Sequence, residues 1–296
     1  MGAAVTTSTP ARGLRQAIGP YVALMKPRII ELLLITTVPA MVLAARGWPG
    51  TWLVAATLLG GTLSAGGANA LNNFYDRDID QVMKRTSNRP LPNHLIDPIR
   101  ARNFGWALGV AGFVVLWLTS NLLAAAISTG ALLFYVYVYT LRLKRTTSQN
   151  IVIGGAAGAA PVLVGWAAVT GDLATPAWAM FAVVFAWTPP HFWALAVRYR
   201  DDYAAAGVPM LPVVTSIEST TRQMALYAGV TVLFSLALVP LADLGWLYLI
   251  VAIASGAVFM FESVRVMLTP DRAMKLFTYS TVYLTVLFAA LLVDAL

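Results

Sequence analysis

Long apolar runs separated by short polar breaks dominate the chain, and their length decides the class of protein. Crossing a bilayer as a helix takes about 20 largely apolar residues. Nine stretches meet that measure: 23–45, 51–72, 103–120, 122–141, 151–170, 176–197, 223–242, 245–267 and 275–294. The eighth and ninth are the least clean, with Glu262 and Arg265 near the end of one. This pattern predicts an all-α, polytopic membrane protein, a nine-helix bundle forming one transmembrane domain over 23–296 after a polar, weakly basic cytoplasmic segment, 1–22. That head carries Arg12 and Arg15 and does not read as a cleavable signal, because the first apolar run is span-length and lacks a small-residue cleavage pattern. Gly2 with Thr6 fits the loose myristoylation pattern, but an acyl chain adds little anchoring to a protein that spans the membrane several times.

Composition agrees: 59% of the 296 residues are hydrophobic, 11% are charged and the mean hydropathy is +0.73, where soluble chains carry about 25% charged residues. The absence of cysteine excludes thiolate zinc sites, iron–sulfur clusters, thiol nucleophiles and disulfides. Phosphate-loop, dinucleotide, zinc-protease and serine-hydrolase signatures are missing too. The net charge of +7 needs no nucleic acid, because it is an orientation signal. Lys26 and Arg28, the bases between spans 2 and 3, Arg142, Lys144 and Arg145, and those linking spans 6–7 and 8–9 all fall on one side if the amino terminus is cytoplasmic. Arg46 alone dissents. The expected setting is a bacterial inner membrane, with a mitochondrial one the lesser alternative.

Loops on the opposite side are short, whereas the 2–3 and 6–7 connections are long and rich in acids, bases and prolines, as functional connections tend to be. A site should open there. Glycine patches inside spans, Gly60-Gly61 with Gly66-Gly67 and Gly154-Gly155 with Gly158, read as close helix packing.

The chemistry concentrates in Asn72-Asn73-Phe74-Tyr75-Asp76-Arg77-Asp78-Ile79-Asp80, which presents three carboxylates within five residues. On a helix Asn72, Asp76 and Asp80 lie at about 0°, 40° and 80°, one face, with Asn73 at its border. Asp78 points elsewhere and reads as half of a helix-end ion pair. A second cluster, with His191, Arg198, Asp201 and Asp202, follows span 6 and reaches the same membrane level. Facing acids at a membrane boundary need compensation, and with oxygen ligands only, Mg²⁺ fits, since it binds through one or two carboxylates and keeps room for phosphate oxygens. Lys84, Arg85, Arg89, Lys144, Arg145, Arg198 and Arg200 would complete a diphosphate cradle. A charged diphosphate head and a lipid-seeking tail describe an isoprenoid diphosphate.

The run Asn72-Asn73-x-x-Asp76-x-x-x-Asp80 resembles the first aspartate-rich motif, NDxxDxxxD, of the UbiA superfamily of intramembrane prenyltransferases, with Asn73 in place of its second Asp. That departure resembles one branch, the protohaem IX farnesyltransferases. So do Met83-Lys84-Arg85-Thr86-x-x-Arg89-Pro90-Leu91-Pro92, the glycine-rich run from Asn150 and the run Trp187-Thr188-Pro189-Pro190-His191-Phe192-Trp193. The resemblance implies a central cavity open to the cytoplasm and sideways to lipid. It also implies farnesyl diphosphate and haem B as substrates, Mg²⁺ held by Asn72, Asp76, Asp80 and Asp202 with Asp201 as its rival, and haem A synthase as a candidate partner. Asn72, Asp76, Asp80, Lys84 and Arg85 would be catalytic, and Asn73, Arg89, Lys144, Arg145, His191, Arg198, Asp201 and Asp202 would contact substrate. Tyr135, Tyr139, Phe192 and Trp193 could offer ring faces to a carbocation. His191 follows a Pro-Pro pair expected to break or kink its helix; it is open as an iron ligand, a substrate hydrogen-bond partner or a structural group, and His94 is a more exposed alternative. Two rivals are a related prenyltransferase with an aromatic or quinone-precursor acceptor and a transporter, though a transporter would be expected to carry acids at mid-membrane depth.

Overall fold

The structure, a computed structural model, describes residues 14–296; residues 1–13 and the Arg15 side chain, and with them the expectations placed on the basic head and on Gly2, lie outside the described residues. Every regular element described is helical. Helix α1 (Leu14–Met25) leads into α2 (Pro27–Ala45) and α3 (Thr51–Tyr75), and a short α4 (Arg77–Val82) opens the 2–3 connection. Then come α5 (Pro98–Thr119), α6 (Leu122–Leu133), α7 (Asn150–Thr170) and α8 (Thr175–Arg198). The short α9 (Arg200–Ala205) and α10 (Leu211–Val214) form the 6–7 connection before α11 (Ile217–Ala242), α12 (Trp246–Leu268) and α13 (Ala273–Asp294).

The long helices follow the predicted runs, and their starts differ for a physical reason. Helix α5 begins at Pro98 rather than 103 because Asp97 caps it, accepting from Arg100 N–H at 3.0 Å, with proline at the first helical position. Helix α11 begins at Ile217 rather than 223 because Ser216 accepts from Ser219 N–H at 3.1 Å. Seven helices among the described residues are long and apolar enough to cross a membrane, while α2 contributes a shorter apolar stretch, Leu34–Ala45.

Helices α7 and α8 form the centre: 61% and 67% of their most apolar stretches are buried, against 22–28% for α5, α6, α11 and α12. Around them α3 packs on α5, α11 on α8 and α12, and α13 returns to α8 and α2. The α3–α5 contact is backbone on backbone. A Cβ on Gly67 would lie 2.6 Å from the Gly105 carbonyl oxygen and 2.9 Å from the Gly109 nitrogen. Gly60 and Gly66 give their space to Leu116 and Met25, and Gly154 and Gly155 to Tyr139 and Thr188, as the packing reading expects, whereas Gly61 and Gly158 face open space.

Two expectations change. The Pro-Pro pair does not break its helix: α8 runs through Pro189 and Pro190 to Arg198. The fourth span does not end at 141 but continues beyond α6 as a ten-residue π-helical segment, Phe134–Leu143, and one last turn, Lys144–Thr146. The dissenting Arg46 is accounted for, since it donates to the Ala242 carbonyl at 3.0 Å and pairs with Asp243 at 3.4 Å across the α11–α12 corner.

Candidate active site

The acid row keeps its single face although α3 ends at Tyr75. Asp76 N–H donates to Asn72 O at 2.9 Å and Asp80 N–H to Asp76 O at 2.8 Å, so helical winding passes through the joint between α3 and α4. Asn72, Asp76 and Asp80 are buried to 3%, 0% and 1% exposure. Three carboxylic or amide groups out of water demand partners, and basic residues from three parts of the chain supply them.

Lys26, at the α1–α2 joint, donates to Asn72 Oδ1 at 2.8 Å. The Asn72 amide N–H groups reach Asp76 Oδ2 at 2.8 Å and Thr140 Oγ1 at 3.0 Å. Lys144 Nζ meets Asp76 Oδ2 at 2.5 Å, and one Arg89 nitrogen spans both Asp80 oxygens at 2.7 and 2.8 Å. Arg145 stands 3.7 Å from Asp76 Oδ1 while donating to Asp78 at 2.7 and 2.8 Å and to the Tyr75 carbonyl at 2.9 Å. Three basic side chains thus meet three carboxylates, and Lys26 adds a fourth base at Asn72. One acid oxygen, Asp76 Oδ1, is buried without a hydrogen-bond partner.

That orphan oxygen is the test of whether a divalent cation suits the site. An unpaired buried carboxylate oxygen costs free energy, and a hard, oxygen-seeking cation is its natural complement. Among the described residues no three acids or histidines converge into a ready-made cage, so such a cation would complete its shell with substrate oxygens. The donor set fits Mg²⁺ shared between protein and phosphate.

Asp78 has the structural role expected of it. The Arg145 hydrogen bonds hold its carboxyl down to about 2. The pair's contribution is therefore complete above the ordinary carboxylate value near ~4 and fades only as pH falls through the folded value. With Asp78 62% exposed, that contribution is under about 1 kcal/mol.

Thr140 and Lys144, one turn apart, both reach α3 from the π-helical segment and the turn after it. Thr140 Oγ1 donates to Tyr135 O, five residues back, at 2.8 Å, a wider register than an α-helix gives. Tyr135 and Tyr139 stack at 5.3 Å in this segment, beside Thr140, which bonds both the Tyr135 carbonyl and Asn72. Trp193 is fully buried against Tyr227 and Phe192 is 37% exposed, so of the four aromatic candidates the two tyrosines adjoin the acid row.

The second cluster reaches the first through main chain: Asp202 Oδ2 accepts from Arg85 N–H at 3.1 Å, and the Arg85 side chain lies over Tyr199 and Tyr203 at 5.6 and 5.9 Å. Lys84, Arg198 and Asp201 are exposed. The chain leaves α4 at Val82 and turns, so that Arg89, rather than Lys84, swings back onto the row. His191 is sandwiched between Trp187 and Phe277 with ring centroids 4.2 and 4.3 Å away, and its Nδ1 meets Ser280 Oγ at 2.7 Å. This ties α8 to α13. His191→Ala should lower the melting temperature of the purified protein by several degrees, through a cavity between Trp187 and Phe277 and the loss of the bond to Ser280. If the haem spectrum and turnover stay unchanged in that protein, His191 has no substrate role.

Asn73, 1% exposed, faces away from the row and donates to Leu24 O at 3.2 Å and Asn69 O at 2.9 Å. Lys26, Asn69 and Thr140 are the site residues that sequence reasoning missed. The signal for Lys26 was its position just before Pro27, but a base at the head of a span reads equally well as an orientation signal. A groove of about 530 Å³, lined by Tyr75, Arg77, Asp78, Gln81, Leu141 and Arg145, lies beside the row.

Comparison with known proteins bears on the family and the fold. The model of the UbiA prenyltransferase family matches residues 33–292. A protein named "Protoheme IX farnesyltransferase" from Parafrankia sp. (strain EAN1pec) is 55% identical over 281 residues, 93% of this chain and 90% of its own length. "Protoheme IX farnesyltransferase 1" from Saccharopolyspora erythraea is 54% identical over 298 residues, 99% of this chain and 94% of its own. In fold, a solved digeranylgeranylglyceryl phosphate synthase superposes with a TM-score of 0.78 at 18% identity, covering 95% of this chain and 99% of its own. A UbiA homolog from Archaeoglobus fulgidus bound to GPP and Mg²⁺ gives 0.68 at 17%, covering 92% and 99%. With its family model matched along most of its length, and with a helical fold and acid row of the kind that family's motif describes, this chain belongs to the UbiA prenyltransferase family.

Proposed function

We propose that this enzyme transfers the farnesyl group of farnesyl diphosphate to a vinyl group of haem B, giving haem O and pyrophosphate. The observation that carries the reading is the buried, base-lined row around Asn72, Asp76 and Asp80, with one Asp76 oxygen free of hydrogen bonds, and the acceptor follows the relatives' name. Asn72, Asp76 and Asp80 would hold Mg²⁺, with Asp202 entering from the facing cluster. When bound, the ion neutralises charge growing on the departing diphosphate. Lys144, Arg89 and Arg145 are fixed by their acids before substrate arrives, so they meet that charge without reorganising. The allylic C–O bond breaks and its electron pair leaves with pyrophosphate. Tyr135 and Tyr139 present ring faces toward the resulting cationic tail. The vinyl π pair forms the new C–C bond, and water adds to the other vinyl carbon, losing a proton. No side-chain nucleophile is required, consistent with a chain without cysteine.

In this reading residues 23–296 form one inner-membrane domain crossing nine times from a cytoplasmic amino terminus, and the lysine and arginine distribution supports that orientation. Purified protein given haem B and farnesyl diphosphate should yield a haem heavier by one hydroxyethylfarnesyl change in mass spectra, and only with Mg²⁺. Pyrophosphate release without a heavier haem, restored by an aromatic acceptor, would assign the acceptor differently.

A further inference from the structure

Lys26 is held in an unusual way. It lies between α1 and α2 with φ 55° and ψ 64°, the left-handed region that residues with a side chain enter when their surroundings enforce it. The break it makes strands the last carbonyls of α1, which in a buried setting need donors. Helix α3 provides them: Asn69 Nδ2 donates to Met25 O at 2.8 Å, and Asn73 Nδ2 donates to Leu24 O at 3.2 Å. Asn69 and Asn73 are four residues apart, one helical turn, and are themselves linked by the bond from Asn73 Nδ2 to Asn69 O at 2.9 Å. The bare face of Gly66 accepts Met25, whose Cε would lie 2.7 Å from a Cβ there. The product of this arrangement is one ammonium group, Lys26 Nζ, delivered to Asn72 Oδ1 at 2.8 Å at the head of the acid row.

Helix α3 thus carries two polar rows. Asn72, Asp76 and Asp80 face the site, while Asn69 and Asn73 grip the α1–α2 turn. We infer that Lys26 is a further diphosphate-binding residue and that Asn69 and Asn73 are positioning residues acting through it. This rests on the reading of the row as a diphosphate site. It also explains why position 73 is an amide here. A carboxylate cannot donate to the Leu24 carbonyl; two acceptors would face each other and release the turn.

The experiment is a double-mutant cycle on Lys26→Met and Asn73→Ala, read as calorimetric binding of inorganic pyrophosphate with Mg²⁺ to the detergent-purified full chain, alongside KM and kcat for farnesyl diphosphate. Lys26→Met should weaken pyrophosphate binding by about tenfold or more, the worth of a hydrogen bond to a charged group, raising KM more than it lowers kcat, and Lys26→Arg should restore most of it. Asn73→Ala should weaken binding too, and the double variant should be no weaker than Lys26→Met alone. Additive losses would overturn the positioning role, and unchanged binding in Lys26→Met would overturn the whole inference. Asn73→Asp decides independently: binding weaker than in Asn73→Ala supports the latch, and binding equal to or tighter than in the unmodified chain overturns it. If Asn73→Ala does not fold, the Lys26 pair and Asn73→Asp still decide between these outcomes. Unmodified protein that binds pyrophosphate but makes no heavier haem refutes the acceptor and leaves the latch standing; unmodified protein that does not bind pyrophosphate overturns both.

Discussion

Asp76→Asn abolishes pyrophosphate release, with turnover falling by at least about a thousandfold, the upper range seen when one preorganised electrostatic group is lost. The asparagine keeps the shape of the side chain but removes the charge that faces Lys144 at 2.5 Å and Arg145 at 3.7 Å, and it disturbs the one buried acid oxygen of the row that accepts no hydrogen bond. Asp80→Ala should have a comparable effect, because it frees Arg89 from its two-oxygen contact and removes the end of the row. Each variant should still elute as a folded species, since the measurement that matters is Mg²⁺-dependent pyrophosphate release by intact protein. Near-normal turnover in either would show that the metal and diphosphate site lies elsewhere.

The second large effect is on folding. Gly67→Leu should leave little folded protein, and the gentler Gly67→Ala should destabilise it by about 1–3 kcal/mol, the usual range for overpacking. The reason is that a Cβ at this position meets main chain, Gly105 O at 2.6 Å and Gly109 N at 2.9 Å, which cannot rotate away as a side chain would. Gly61→Ala is the matched control on the same helix, because a Cβ there meets nothing within 4 Å. Thermal melts followed by loss of monodisperse protein in detergent compare the three; equal melting temperatures for Gly67→Ala and Gly61→Ala would remove close backbone packing as the organising contact of α3 and α5.

Much of this was legible in the chain because the membrane restricts the choices. Apolar runs of span length admit few structures, so helices α5 to α8 and α11 to α13 followed directly. The row Asn72, Asp76 and Asp80 was readable because α-helical spacing alone puts those positions on one face. What escaped was everything set by contacts distant in sequence. The pairing of Asp76 with Lys144 joins positions 68 apart, and that of Lys26 with Asn72 joins positions 46 apart. Neither leaves a local pattern. Lys84 and Arg89 were indistinguishable as nearby bases, and only the turn after α4 selected Arg89. Asn73 stood out as a departure and pointed to substrate, but its amide is engaged with the backbone of α1. The Pro-Pro pair leaves its helix unbroken because loss of two amide hydrogens does not outweigh a helix held on both sides by α7, α11 and α13.

The π-helical segment Phe134–Leu143 has a meaning for how this enzyme can vary over evolutionary time. A π-helical stretch is commonly an α-helix that has absorbed extra length. Removing one residue from 134–143 would let the span tighten toward ordinary winding, so that Thr140 no longer reaches five residues back to the Tyr135 carbonyl and loses its place beside Asn72, while the apolar character of the span stays untouched. Point changes toward lipid in this segment should be freely exchanged among descendants, whereas its residue count is held by the need to keep Thr140 between the Tyr135 carbonyl and Asn72.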